Sequence, residues 1–278
     1  MRRLAPLLLL AALAAGCSSS SSKQITIQPA KTYKLIGFQP VAQVSPGRPT
    51  TVAFTIQQPS GSALTAYRTG AGPHTGVHLI IVSDDLSTIV HRHPPMQAGG
   101  RFEQRVVFPA AGRYRVIVDA YPRNGGPVPN FQLFKDIQVR GVPKAEPLGG
   151  YKAVQHVGGF TFTAPRQPRV RAIQASLMTV RVRNAAGKPA RFVPWYGALA
   201  HAIFFHVGTL DYFHTHVCAP GATGCTSLLA GAKVTGTSVV PGKLTIGILL
   251  PTAGTWKLFL QTKPDGRQVT VPYVLHAR

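Results

Sequence analysis

Six histidines recur at matched spacing in a chain that holds only 10 among 278 residues. His78 sits in the apolar run Val77-His78-Leu79-Ile80-Ile81-Val82, and His91-Arg92-His93 follows it. His201 sits in Ala200-His201-Ala202-Ile203-Phe204-Phe205, and His214-Thr215-His216 follows at the same offsets. If 76–82 and 88–93 are the strands of a hairpin centred between Asp84 and Asp85, His78 faces His91 directly, and His93 shares their face. A turn centred between Val207 and Gly208 does the same for His201, His214 and His216. Each triad would then be a chelate. Neutral imidazole suits copper, zinc and nickel, whereas calcium and magnesium want oxygen. No Cys lies within either motif, which excludes a blue-copper thiolate centre. The expectation is therefore a His-only copper or zinc site in each copy. Met96 is a possible extra soft ligand, or a residue placed there by chance; its counterpart in the second copy is Ala219. The competing reading is structural: cross-strand histidines packed at a sheet end and bonded to backbone carbonyls. His74 and His206 lie nearby without counterparts and read as incidental.

The elements that would position these side chains also recur. Phe108-Pro109-Ala110-Ala111-Gly112-Arg113-Tyr114 matches Leu250-Pro251-Thr252-Ala253-Gly254-Thr255-Trp256. The second copy carries an insertion after His216. Short runs rich in Val, Ile, Thr, Phe and Tyr alternate with Gly, Pro, Asn, Asp and Ser, and no long amphipathic helical pattern occurs. Strands are expected at 51–57, 76–82, 88–93, 102–108, 114–120 and 131–139, repeated in the second copy and ending with 268–275. The fold class is all-β, with two tandem antiparallel β-sandwiches of immunoglobulin-like or cupredoxin-like type. The expected divisions are a signal peptide at 1–16, a tether at 17–24, sandwiches at 25–142 and 151–278, and a linker at 143–150.

The first residues bear on location. A basic start, an apolar stretch too short to span a bilayer, and Leu13-Ala14-Ala15-Gly16-Cys17 resemble the lipobox of bacterial lipoproteins. That resemblance implies a diacylglyceryl group on Cys17, cleavage before it, and anchorage on the extracytoplasmic face of the cell membrane. An acylated N-terminus would also rule out a metal site built on a free amine. Cys218 and Cys225 remain; in an oxidising compartment a disulfide across the inserted loop is the default, and a pair of thiolate ligands the rival. The net charge is +22. Export argues against nucleic acid as the partner, and the scattered Lys and Arg suit anionic surroundings such as cell-wall polymers.

The pattern His78, Asp85-Leu86, His91-Arg92-His93-Pro94, then Phe108-Pro109, Gly112, Tyr114 and Asp119 resembles exported immunoglobulin-like or cupredoxin-like bacterial domains, often found among copper-handling envelope proteins. The resemblance covers most of the first copy and implies a sandwich. In the second copy Gly208, Val217 and Gln261 replace Asp85, Pro94 and Asp119. If Asp119 orients a ligand histidine, the second copy lacks that support. No nucleophile elbow, phosphate loop or paired acids of glycosidase type are found, so a non-enzymatic protein is expected. Two functions remain: a lipoprotein that buffers copper or passes it to other envelope metal-handling proteins, and a structural or adhesive module with a basic surface and purely structural histidines.

Overall fold

Strands account for almost all regular structure in the computed structural model, which describes residues 32–123 and 130–278. Cys17 and the tether lie outside the described residues. In the N-terminal half the strands are β1 (Lys34–Gln39), β2 (Pro49–Gln57), β3 (Val77–Ser83), β4 (Ile89–Arg92), β5 (Arg101–Val107), β6 (Gly112–Ala120) and β7 (Phe131–Val139). They form two sheets, β1-β2-β5 and β4-β3-β6-β7. The six strands expected here are present with ends within two residues; β1 was not anticipated. Between the sheets lie Val52, Phe54, Ile56, Leu79, Ile81, Phe102, Val116 and Val118. Each such side chain contributes about 1.5–3 kcal/mol on leaving water.

The C-terminal half contains β8 (Val154–Val157), β9 (Phe160–Thr163), β10 (Ser176–Arg183), β11 (Ala200–His206), β12 (Tyr212–Cys218), β13 (Thr226–Leu229), β14 (Ala232–Val240), β15 (Lys243–Ile248), β16 (Gly254–Thr262) and β17 (Val269–Ala277). Gly158 and Gly159, both at positive φ, make the two-residue turn between β8 and β9 that right-twisted strands prefer. Here the two layers are continuous, in the order β17-β16-β11-β12-β14-β15-β10-β9-β8. The inserted segment is the cause. Its β14 pairs in parallel with β12 and antiparallel with β15, bridging layers that stay separate in the N-terminal half. Cys218 and Cys225 form a disulfide at the start of this insertion.

The aligned aromatic residues do the same work in each half. Tyr114 Oη donates to the Ala110 carbonyl at 3.0 Å, and Trp256 Nε1 donates to the Thr252 carbonyl at 3.1 Å. Both bonds pin the bend entering the strand next to β3 or β11, and they resemble the tyrosine corner of immunoglobulin-like sandwiches.

β3 and β11 are buried along both faces. One face of each supplies its own half's core. The other faces meet: Ile80, Val82 and Ile117 of the N-terminal half pack with Ile203, Phe205, Tyr212 and Phe259 of the C-terminal half in a third apolar cluster. Two-sided burial explains why Val77–Val82 and Ala200–Phe205 show no polar alternation. His78 and His201 lie on these joining faces, so the histidines of both halves are directed toward the junction.

Candidate metal centre

The hairpin register departs from expectation by two residues. Ile80, not His78, lies opposite His91, and Leu79 lies opposite Arg92. In the C-terminal half His201 faces His216, and Ile203 faces His214. The reason is the turn. Ser83 N donates to the Thr88 carbonyl and Leu86 N to the Ser83 carbonyl, with Leu86 at φ +58°, so the loop is centred one residue later than a simple reading allows. The Asp85 carboxylate holds it, accepting from Ser83 Oγ, Ser87 N and Ser87 Oγ. Leu210, also at φ +58°, plays the corresponding part in the second hairpin. A displacement of two keeps every side chain on its face, so the histidines still converge.

They converge into one cluster, not two. Three groups bring potential ligand atoms within 4.8 Å of one another: His78 with His91 and His93, His78 with His214 and His216, and His91 with His201 and His214. Two of these groups combine residues from both halves. The triad expected for the second copy, His201 with His214 and His216, is not one of them. His78, His91, His201, His214 and His216 are buried, and His93 is partly so.

Hydrogen bonds orient several rings. His78 Nε2 donates to the Pro73 carbonyl at 2.8 Å, which leaves Nδ1 as the free lone pair. His201 Nε2 donates to the Trp195 carbonyl at 2.9 Å and likewise presents Nδ1 inward. His91 Nδ1 donates to Gln261 Oε1 at 3.1 Å and presents Nε2. This pattern, one nitrogen anchored to an acceptor and the other turned inward, is how proteins prepare histidine to ligate a metal. The inward nitrogens are close: His91 Nε2 lies 3.1 Å from His93 Nε2, and His201 Nδ1 lies 3.3 Å from His214 Nε2. Two imidazole nitrogens on one ion at roughly 2.0–2.1 Å with a tetrahedral angle stand about 3.3 Å apart. Other buried ring nitrogens have no hydrogen-bond partner among the described residues: Nδ1 of His78, Nδ1 of His214, and both nitrogens of His216. An orphaned buried polar atom costs roughly 1–3 kcal/mol, so four at one place call for a compensating ligand.

Burial holds the rings neutral. It lowers the histidines well below their usual 6.5 at His78, His91, His214 and His216, to about 4 at His201 and to about 3 at His93; neighbouring imidazoles add to the effect at most of them. Neutral imidazole is the metal-binding form.

Asp119 has no histidine among its hydrogen-bond partners in the described residues. It lies opposite His78 in the β3–β6 ladder, but its oxygens accept from Asn130 Nδ2 at 2.5 Å, Tyr212 Oη at 3.2 Å and Tyr121 Oη at 3.3 Å. Burial pushes its carboxyl up to about 6 in spite of these three donors. Gln261, which stands opposite His201 and was read as a lost support, is the residue that reaches across to His91. Met96 is 43% exposed, on a segment that pairs with Phe102.

Sequence reasoning missed three participants. His74, set aside as incidental, stacks on Tyr121 with centroids 5.2 Å apart and meets His216 edge-on at 4.8 Å. Tyr196 stacks flat on His93 at 3.9 Å, and Trp195 meets His91 edge-on at 5.5 Å. None of the three has a counterpart in the other half, so the repeat could not mark them. The loops that carry them touch: a Cβ on Gly197 would lie 2.6 Å from the Gly72 carbonyl carbon. His206, by contrast, bonds to Thr209 beside its own turn.

Among solved structures the chain is similar to invasin, a bacterial integrin-binding protein, at 15% identity and a TM-score of 0.24, over 89% of this chain and 39% of that one. It is similar to fibronectin(III)-like modules of Clostridium thermocellum CbhA at 12% identity and a TM-score of 0.22, over 89% and 94%. It is also similar to a Salmonella alpha-2-macroglobulin mutant at 14% identity and a TM-score of 0.28, over 92% of this chain but 15% of that one. The chain thus spans well under half of the invasin and alpha-2-macroglobulin chains. This chain is itself all-β, its strands paired almost entirely antiparallel. No curated protein sequence matches it significantly. With residues 34–139 and 155–278 matching the family model, the chain belongs to the family described as a domain of unknown function, DUF8832.

Proposed function

We propose that this protein is a membrane-anchored, extracytoplasmic lipoprotein that binds a transition metal, copper foremost, in a histidine cluster shared by its two halves, and that it buffers or passes on that metal. The observation that carries the reading is the set of buried ring nitrogens without partners among the described residues, beside others already turned inward by carbonyl and amide acceptors. A purely structural cluster would be expected to satisfy these atoms. The donor set favours copper in its monovalent state. All six donors are neutral, and the nearby buried carboxylate, Asp119, is taken up by Asn130 and two tyrosines. The Born cost of burying an ion grows with the square of its charge, so a neutral imidazole cage accommodates a single charge far more easily than a double one. Imidazole-only donors fit copper and zinc and exclude calcium and magnesium as natural occupants.

The groups also limit occupancy. Any two of the three share a histidine, so two ions would require a bridging imidazolate. One ion per chain is expected, in place of the two that separate triads would hold. Titration of the purified protein with Cu(I), Cu(II) and Zn(II), beside a variant carrying H91A, H93A, H214A and H216A, tests the reading. One tightly held ion, lost in the folded variant, supports it. Binding no tighter than the variant's overturns it, and the histidines then serve as architecture in a tethered interaction module. A preference for Zn(II) over Cu(I) would keep the site and reassign its metal.

A further inference from the structure

A pocket of about 470 Å³ lies between the halves, walled by Asp119, Tyr121 and Gln132 from one side and by Asp211, Tyr212 and His214 from the other, with His74 also on its lining. We propose that this pocket is the vestibule through which a metal cation enters and leaves the histidine cluster, with His74 as the transfer ligand between the pocket and His216; the inference rests on the metal reading above.

Three observations converge on it. His214 lines the pocket, yet it is 7% exposed and its Nδ1 has no protein partner. It is therefore both reachable from the pocket and a member of two of the three potential ligand groups. Next, a chain of net charge +22 repels cations, and it has only 8 carboxylates to offset that charge. Two of them, Asp119 and Asp211, line this pocket, and neither is in an ion pair among the described residues. Arg115 also lines it, but its guanidinium is held by Asp136 at 2.8 Å. A cleft with low-dielectric walls concentrates the field of the charges that line it, so a cation is drawn to this place on an otherwise repulsive surface. Finally, His74 is only partly buried, and it stands edge-on to His216, whose two ring nitrogens are both unpartnered. A hydrated ion can exchange a water for His74 before it is taken by the buried rings. The other approach to the cluster, past His93, is covered by the face of Tyr196.

The test follows the rate of Cu(I) uptake by the purified protein from its coloured bicinchoninate complex, the rate of release to the same chelator, and the affinity at equilibrium. Two variants are compared with the wild type: His74→Ala, and Gln132→Trp, which narrows the pocket at a partly exposed position. His74→Ala and Gln132→Trp should each slow uptake and release together by about tenfold or more, leaving affinity unchanged, because a path affects both directions equally. Wild-type rates in both pocket variants, in a protein that binds copper at equilibrium, overturn the vestibule and leave the metal site standing. A loss of affinity in His74→Ala would make His74 a resident ligand and overturn its transfer role. Absence of copper binding by the wild type would overturn both proposals.

Discussion

His91 Nδ1 lies 3.1 Å from Oε1 of Gln261, a residue 170 positions further along the chain and in the opposite half. The bond is buried, and it fixes which nitrogen His91 turns toward the cluster. Gln261 also donates to Thr270 Oγ1 at 3.2 Å, so its amide is oriented before it meets the ring. Replacing Gln261 by Leu should lower metal affinity by about 10–100-fold, the usual cost of losing an outer hydrogen bond to a ligand histidine. A competition titration against a chelator of known affinity measures it. Unchanged affinity would mean that His91 is not a ligand.

Because two of the three ligand groups mix residues from both halves, the halves should not bind independently. The pair H78A and H91A, both in the N-terminal half, breaks all three groups and should abolish tight binding by the whole chain. Separate sites would instead leave this double variant with half the wild-type stoichiometry, held by His201, His214 and His216. Metal content per chain after dialysis distinguishes the two.

Much of this arrangement is legible in the amino-acid order. Valine, isoleucine and aromatic runs set between turn residues locate the strands, and the two-residue spacing of His91 and His93 places them on one face. The register is not legible, because each turn holds a leucine at positive φ, Leu86 or Leu210, a residue type that does not mark such a conformation in the sequence. The merging of the triads was hidden for a different reason. Each repeat shows which face its histidines share, but nothing local shows what that face packs against. One cue was present: the unbroken apolar stretches around His78 and His201 demand burial on both faces, and one sandwich core supplies only one.

Gly197 is the tightest point between the loops over the cluster, at φ +76° with the Gly72 backbone where a Cβ would go. Gly197→Ala should destabilise the protein by more than about 2 kcal/mol, through backbone strain and forced separation of the loops. Metal affinity should fall as well, since those loops supply the Pro73 and Trp195 carbonyls that hold His78 and His201. Denaturant melts with and without metal read both effects. A stable variant with normal affinity would show that the loops do not position the rings.

Cys218 ends the strand that carries His214 and His216, and its bond to Cys225 closes a short loop. Changing both to Ser should cost about 2–3 kcal/mol from the chain-entropy estimate for so short a loop. The melting midpoint in denaturant reports it. The ligand nitrogens do not include either sulfur, so binding stoichiometry should stay at the wild-type value. Loss of the ion with the fold intact would return the thiolate reading to consideration.

Acid should unfold the metal-free protein early. Burial lowers the folded-state pKa of His74, His78, His91, His93, His201, His214 and His216 below the 6.5 of an unfolded chain. Above that value both states are neutral and the histidines add no pH dependence. Below it the unfolded state binds protons that the folded state refuses, and stability is lost at about 1.4 kcal/mol per pH unit for each histidine. The loss continues as pH falls toward the folded values of about 4 for His201 and His74 and about 3 for His93. Asp119 works in the opposite direction. Its folded pKa of about 6 exceeds the ordinary 3.8, so its contribution is largest in acid and lost as pH rises through 6. One carboxyl cannot offset seven imidazoles, so the net slope is destabilising. Urea melts should give a nearly constant midpoint from about pH 8 to about pH 7 and a steep decline below about pH 6.5. Bound metal should carry the plateau to lower pH, because it stabilises the neutral rings, until protons displace it. A midpoint at about pH 5 equal to that at about pH 8 would mean that the rings are hydrated in the folded state, and the case for a buried metal cluster would fall with it.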